Sequence, residues 1–140
     1  TETGLHDRIL TKYYKTLRFY STTNQLFGEV HASDQRAYSR SLVALDMNKW
    51  YLVAMAYDDT SDRLVHLYVN GEEVDYATQV PAEGTLTDDS GYDVYVGNEA
   101  DLTRPYHGII SLAMIFNRVL SKKEIRAIYE YFFGPPRAEV

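Results

Sequence analysis

Short apolar runs of strand length, separated by turn residues at close and fairly even intervals, predict an all-β, two-sheet antiparallel sandwich with one short C-terminal helix. Two local signals support this reading. Asn70-Gly71 lies between the alternating runs 64–69 and 72–76, and both residues tolerate the positive φ of a two-residue type I′ hairpin turn. Ser121, with Glu124 three residues on and then Ile125, Ile128, Tyr129 and Phe132 at helical spacing, forms a capping box at the start of an amphipathic helix that Gly134-Pro135-Pro136 stops.

In chain order, residues 8–12, 17–20 and 26–31 read as three strands, the last two joined by turn-prone Ser21, Thr22, Thr23 and Asn24. Residues 32–40 are polar and read as a loop or exposed edge, and a weak strand is expected over 38–44. The run from Trp50 to Tyr57 is apolar throughout, so both of its faces want cover and it is expected at the centre of a sheet. Alternation puts Trp50, Leu52, Ala54 and Ala56 on one side and Tyr51, Val53, Met55 and Tyr57 on the other. With the strands on either side of Asn70-Gly71 it makes a three-stranded antiparallel unit. Residues 79–91, rich in Pro, Gly, Asp and Ser, form a long loop. Strands are expected again over 92–97 and 109–116. The buried core is expected to include Trp50, Val53, Met55, Leu67, Val69 and Ile110, and the helix to pack through Ile125, Ile128 and Phe132 with Lys122, Lys123, Glu124 and Arg126 in solvent.

The 140 residues are expected to form a single domain with one core. Absence of cysteine excludes disulfides, zinc–thiolate sites and thiol nucleophiles, and is compatible with any compartment. A net charge of −6 with basic residues scattered along the sequence argues against nucleic-acid binding. No apolar run approaches the roughly 20 residues of a membrane-spanning helix, so no membrane insertion is expected. Thirteen tyrosines suit half-buried strand positions and wet binding surfaces alike.

Five ordered blocks then resemble one family. Residues 50–58, Trp-Tyr-Leu-Val-Ala-Met-Ala-Tyr-Asp, resemble the W-H-H-V-A-V-T-Y-D strand of laminin-G-like jelly-roll domains of the concanavalin A-like lectin and glucanase fold. Residues 67–71 (Leu-Tyr-Val-Asn-Gly) resemble its L-Y-V-D-G hairpin, 96–98 its I-G-N and 106–110 its F-x-G-x-I. Residues 115–121, with Glu124 and Ile125, resemble I-Y-N-R-A-L-S-x-x-E-I. The resemblance implies a two-sheet jelly roll. It departs where Ser111-Leu112 replace an acidic pair and where Leu52 and Ala56 replace polar residues beside Trp50. Family members open with further strands before the one that Ile9-Leu10-Thr11-Lys12 resembles, so the chain is expected to enter the fold late. The gap would be filled by the rest of a longer chain or by strands from other subunits.

Catalysis is not expected. Glycoside hydrolysis requires two carboxyl groups across one sugar bond, and the Glu-x-Asp-x-x-Glu run that glucanases of this fold use is missing. Glu73 and Asp75 share a strand face, but directly after a hairpin turn they read as solvated charge. His6, His31, His66 and His107 are isolated in sequence, and there is no Gly-x-Ser-x-Gly elbow. No cofactor is expected, although calcium is the metal that two acidic loops would take: Asp58, Asp59 and Asp62, and Asp88, Asp89 and Asp93. For sugar binding the candidates are loop aromatics and their polar neighbours, namely Tyr92, Tyr106, Tyr38 and Tyr76 with Asn98, Asp89 and Arg104.

The reading is a non-catalytic recognition module for a glycan or a protein surface, at an extracellular, cell-surface or virion-surface location. The alternative is a structural or assembly domain of a virus particle, appendage or larger surface protein that binds no sugar.

Overall fold

The computed structural model describes residues 7–20 and 22–134. The expectations for His6, Ser21, Pro135 and Pro136 lie outside the described residues. Strands β1 (Arg8–Lys12), β2 (Lys15–Tyr20), β3 (Gln25–Val30) and β4 (Ala37–Ala44) form a meander. Next come β5 (Val53–Tyr57), β6 (Val65–Val69), β7 (Glu72–Glu73), β8 (Tyr76–Val80) and β9 (Val94–Val96), and helix α1 (Lys122–Phe133) closes the described chain. The strands sort into two antiparallel sheets, one of six in the order β8-β4-β3-β2-β1-β9 and one of three in the order β5-β6-β7.

The core lies between the sheets and follows strand alternation. Leu17, Leu26, Val30 and Ala37 of the larger sheet meet Val65 and Leu67 of β6, with Val53, Met55, Tyr57 and Val69 packed around them. Gly28 marks the point of closest approach: a Cβ there would stand 2.8 Å from both Met55 Sδ and Val65 Cγ1. Two buried hydroxyls sit on the inner face, and each has a partner. Ser39 Oγ donates to the Val65 carbonyl at 2.6 Å, joining the sheets, and Ser41 Oγ accepts from the Leu26 amide at 2.9 Å. The β6–β7 turn is the hairpin expected at Asn70-Gly71, whose φ angles of 53° and 82° both lie in the left-handed region.

Several expectations are corrected. The run 50–57 is central in neither position nor length: β5 begins at Val53 and forms one edge of its sheet. Leu52 is fixed beyond the ladder, its amide donating to Asn70 Oδ1 at 3.1 Å and its carbonyl accepting from the Asn70 amide at 2.8 Å. Trp50, upstream of that clamp and opposite no strand, is 58% exposed and outside the core. Residues 109–116 form no strand, and Ile109 is 75% exposed, because no described strand is placed to satisfy their backbone. Ile110 accordingly joins no core cluster. Residues 37–40 are an interior part of β4, flanked by β3 and β8, and Ala37 and Ser39 are fully buried. Helix α1 buries Ile125 but leaves Phe132 49% exposed, and Lys122 and Arg126 form ion pairs with Glu73 and Glu72 of the hairpin, so they are not simply solvated.

Candidate functional site

The outer face of the six-stranded sheet carries what the inner face cannot. Side chains two residues apart on each strand turn outward together: Arg18 and Tyr20 on β2, Phe27 and Glu29 on β3, Tyr38 and Arg40 on β4. Register then aligns them across strands. Arg8, Arg18, Phe27, Arg40 and Thr78 are consecutive partners in one row over β1, β2, β3, β4 and β8, and Glu29 and Tyr38 are partners in the next. Arg36, from the loop before β4, and Arg104, from the loop after β9, complete a cleft of about 520 Å³.

Its floor is arginine on aromatic. The Arg18 guanidinium lies 4.0 Å from the Phe27 ring centroid and 5.6 Å from that of Tyr20, Arg40 lies 5.2 Å from Tyr20, and Arg36 lies 5.1 Å from Tyr38. Phe27 and Tyr38 stack with centroids 6.0 Å apart. These ring contacts restrain Arg18, Arg36 and Arg40, so less ordering remains for a ligand to impose. Burial is the largest influence on Arg18 and disfavours its charge. Together with Arg8 and Arg36 it overcomes the opposing pull of Glu29 and lowers the Arg18 pKa to about 10, so the group stays cationic at neutral pH.

Of the residues predicted from sequence, Tyr38 and Arg104 line this cleft. Asn98 supports it indirectly, its Oδ1 accepting from the Arg104 amide at 3.1 Å. The others are dispersed. Tyr92 stacks on Tyr13 at 3.5 Å, and Asp89 pairs with Lys15 at 2.8 Å, both beside the β1–β2 turn. Tyr106 packs near Phe19, with ring centroids 6.1 Å apart. Tyr76 belongs to the core side, where its hydroxyl accepts from the Leu67 amide at 2.9 Å and donates to Glu73 at 3.0 Å. Sequence reasoning missed Arg8, Arg18, Tyr20, Phe27, Glu29, Arg36, Arg40 and Thr78. Arginines scattered in sequence are gathered by strand register.

The two acidic loops do not assemble a ligand set. Asp58 accepts from Thr60, Asp59 from Arg63 and Tyr57, Asp62 pairs with His66, and Asp88 accepts from the Ser90 amide. Among the described residues no group of three or more His, Cys, Asp or Glu side chains converges to hold a metal. Glu73, expected as solvated charge, is instead engaged by His66, Tyr76 and Lys122. Asp75 takes no part in that cluster.

Comparison with known proteins places this geometry in context. Residues 7–126 match the Laminin_G_3 family model, described as concanavalin A-like lectin/glucanases superfamily. No curated protein matches the chain. A crystal structure of an S-layer domain-containing protein from Clostridium thermocellum ATCC 27405 is similar at 21% identity with a TM-score of 0.44, over 91% of this chain. This chain spans 64% of the length of that one.

Proposed function

The chain belongs to the Laminin_G_3 family of the concanavalin A-like lectin/glucanases superfamily, and we propose that it is a non-catalytic recognition module whose glycan site is the arginine-lined cleft. The observation that carries this reading is the convergence of five guanidinium groups and three aromatic rings on one sheet face. Such a surface offers forked donors to ring oxygens and charged substituents, and has the volume of a small-ligand site, about 300–1,000 Å³. Among the described residues Glu29 is the one carboxylate lining the cleft, and it is engaged by Arg36 at 2.8 Å. Hydrolysis of a glycoside would need a second, across the scissile bond. A role of this kind belongs at a cell, virion or other extracellular surface, where glycans are displayed. No described helix is long and apolar enough to cross a membrane.

A glycan array of the parent protein, Arg40→Ala and Tyr92→Ala tests the assignment. Loss of signal in Arg40→Ala alone supports the cleft. Loss in Tyr92→Ala alone moves the site to the β1–β2 turn, and no signal in the parent protein removes the glycan reading.

A second reading rests on a separate observation. Ile109, Leu112, Ile115 and Phe116 are exposed, and among the described residues no strand covers the outer edge of β5. These features suit an assembly domain in which a neighbouring subunit adds a strand to the smaller sheet.

A further inference from the structure

The cleft holds more positive charge than the carboxylates in and beside it offset. Arg8, Arg18, Arg36, Arg40 and Arg104 are countered by Glu29 and by Glu99, which lies 3.0 Å from Arg8 Nε and 2.6 Å from Arg104 Nε. Glu29 uses one oxygen on Arg36, while its other stands 3.8 Å from both Arg8 Nη1 and Arg18 Nε, beyond hydrogen-bond reach. As a result Arg8 Nη1, Arg18 Nε and Nη1, and Arg40 Nε are buried donors without a hydrogen-bond partner among the described residues. Arg18 is only 6% exposed. Buried donors of this kind are costly to leave unmet.

Register adds to the cost. Arg8 and Arg18 face each other directly across β1 and β2, and like charges in that position oppose each other. A fold that keeps two desolvated guanidinium groups opposed, with donors unmet, gains most from a counter-charge arriving from outside.

We infer that the cleft binds an acidic saccharide, with a carboxylate or sulfate seated between Arg18 and Arg40 and the ring hydroxyls meeting Tyr38 and Thr78. This rests on the glycan reading above and names the ligand class. A carboxylate or sulfate accepts the parallel donors of a guanidinium fork, and the rings against Arg18 and Arg40 limit the freedom those forks lose on binding. An acidic peptide is the less suited anion. The cleft lies on the sheet face, where the main chain is already used in the β2–β3–β4 ladders, so an extended peptide gains no backbone pairing there.

Isothermal titration calorimetry of the full chain with trigalacturonic acid and a heparin-derived tetrasaccharide, against neutral cellotetraose and a pentaglutamate peptide, tests the inference. The acidic saccharides should bind at least about 10-fold more tightly than the neutral one and weaken as NaCl is raised. Arg40→Gln should lower that affinity about 10-fold, as loss of one charge-assisted hydrogen bond requires, and Arg36→Gln should lower it as well, because it removes a cation from the cleft and frees the Glu29 carboxylate. The Arg36 side chain is about half exposed, so a loss in Arg36→Gln with an unchanged melting temperature separates binding from folding. Equal or tighter binding of cellotetraose overturns the acidic assignment and leaves the glycan reading standing. Tighter binding of pentaglutamate overturns the saccharide in favour of an acidic protein partner, and binding of none of the four overturns both readings.

Discussion

Nδ1 of His66 lies 2.6 Å from Oε1 of Glu73 across the β6–β7 hairpin, and the other ring nitrogen lies 2.9 Å from Oδ2 of Asp62. Tyr76 donates to the same Glu73 oxygen at 3.0 Å, and Lys122 of α1 pairs with the other. The hairpin, the start of β8 and the helix thus meet on one carboxylate.

This cluster predicts a pH window. Partial burial works against charge on His66, but hydrogen bonds to Glu73 and Asp62 outweigh it and raise its pKa above the ordinary 6.5. Burial likewise opposes ionisation of Glu73, yet His66, Lys122 and Tyr76 together bring it down to about 2. A raised histidine stabilises fully below its unfolded pKa, and that contribution is lost as pH rises through the folded value. A depressed carboxylate stabilises above its ordinary 4.5, and loses that contribution as pH falls toward 2. Stability from this cluster should therefore peak between about pH 4.5 and 6.5. Thermal melts should show a lower Tm at pH 8 than at pH 5.5, and His66→Gln should remove most of that difference. A His66→Gln protein with the parent's full pH 5.5 to pH 8 difference would separate His66 from it.

The close approach at Gly28 predicts overpacking. A methyl group there would sit 2.8 Å from Met55 Sδ and Val65 Cγ1 and 2.9 Å from Leu67 Cδ2, and Val65 and Leu67 are fully buried. Gly28→Ala should cost about 1–3 kcal/mol, read as a lower denaturation midpoint at unchanged slope. An unaltered midpoint would mean that the two sheets separate without cost.

Local chemistry made the hairpin, the helix cap and the strands β1, β2 and β3 legible in the sequence. Asn70-Gly71 and Ser121 with Glu124 act within a few residues, and the Asn-Arg-Val-Leu-Ser segment has a physical basis, since Arg118 reaches Glu124 with two nitrogens at 3.1 and 2.7 Å. The cleft was not legible, because its residues come from five strands and two loops and become neighbours only through register. A signal was nonetheless present: arginine or an aromatic at every second position in Arg18 and Tyr20, and in Arg36, Tyr38 and Arg40. Attention to loops led instead to Tyr92, Tyr106 and Asp89, which the fold separates. The run 109–116 misled for the opposite reason. Its composition suits a strand, but a strand exists only where a neighbour accepts its hydrogen bonds.

The cap gives a smaller, cleaner prediction. Ser121 Oγ accepts from the Glu124 amide at 3.3 Å while Glu124 Oε2 accepts from the Ser121 amide at 2.8 Å. Ser121→Ala should cost about 1 kcal/mol, measured by denaturant unfolding. Because Arg118 still holds Glu124, Ser121→Gly should cost less than Ser121→Ala, the order expected when the hydroxyl is lost but the backbone angle remains easy. The reverse order would show that the side chain contributes by packing and not by capping.

The exposed apolar segment after β9 predicts association. Ile109 and Ile115 are 75% and 64% exposed, and β5 presents an outer edge that no described strand covers. An exposed apolar segment and an uncovered sheet edge each favour contact with another molecule, the first through burial and the second through backbone pairing. Sedimentation velocity over a rising concentration series should show the protein moving from monomer to dimer or higher species. Both isoleucines are exposed, so Ile109→Lys with Ile115→Lys should leave the melting temperature of the monomer within a few degrees of the parent and shift the series back toward monomer. The same double variant should keep its saccharide affinity if the cleft and the assembly surface are independent. A parent protein that stays monomeric at every concentration would remove the assembly reading and leave the cleft as the functional surface.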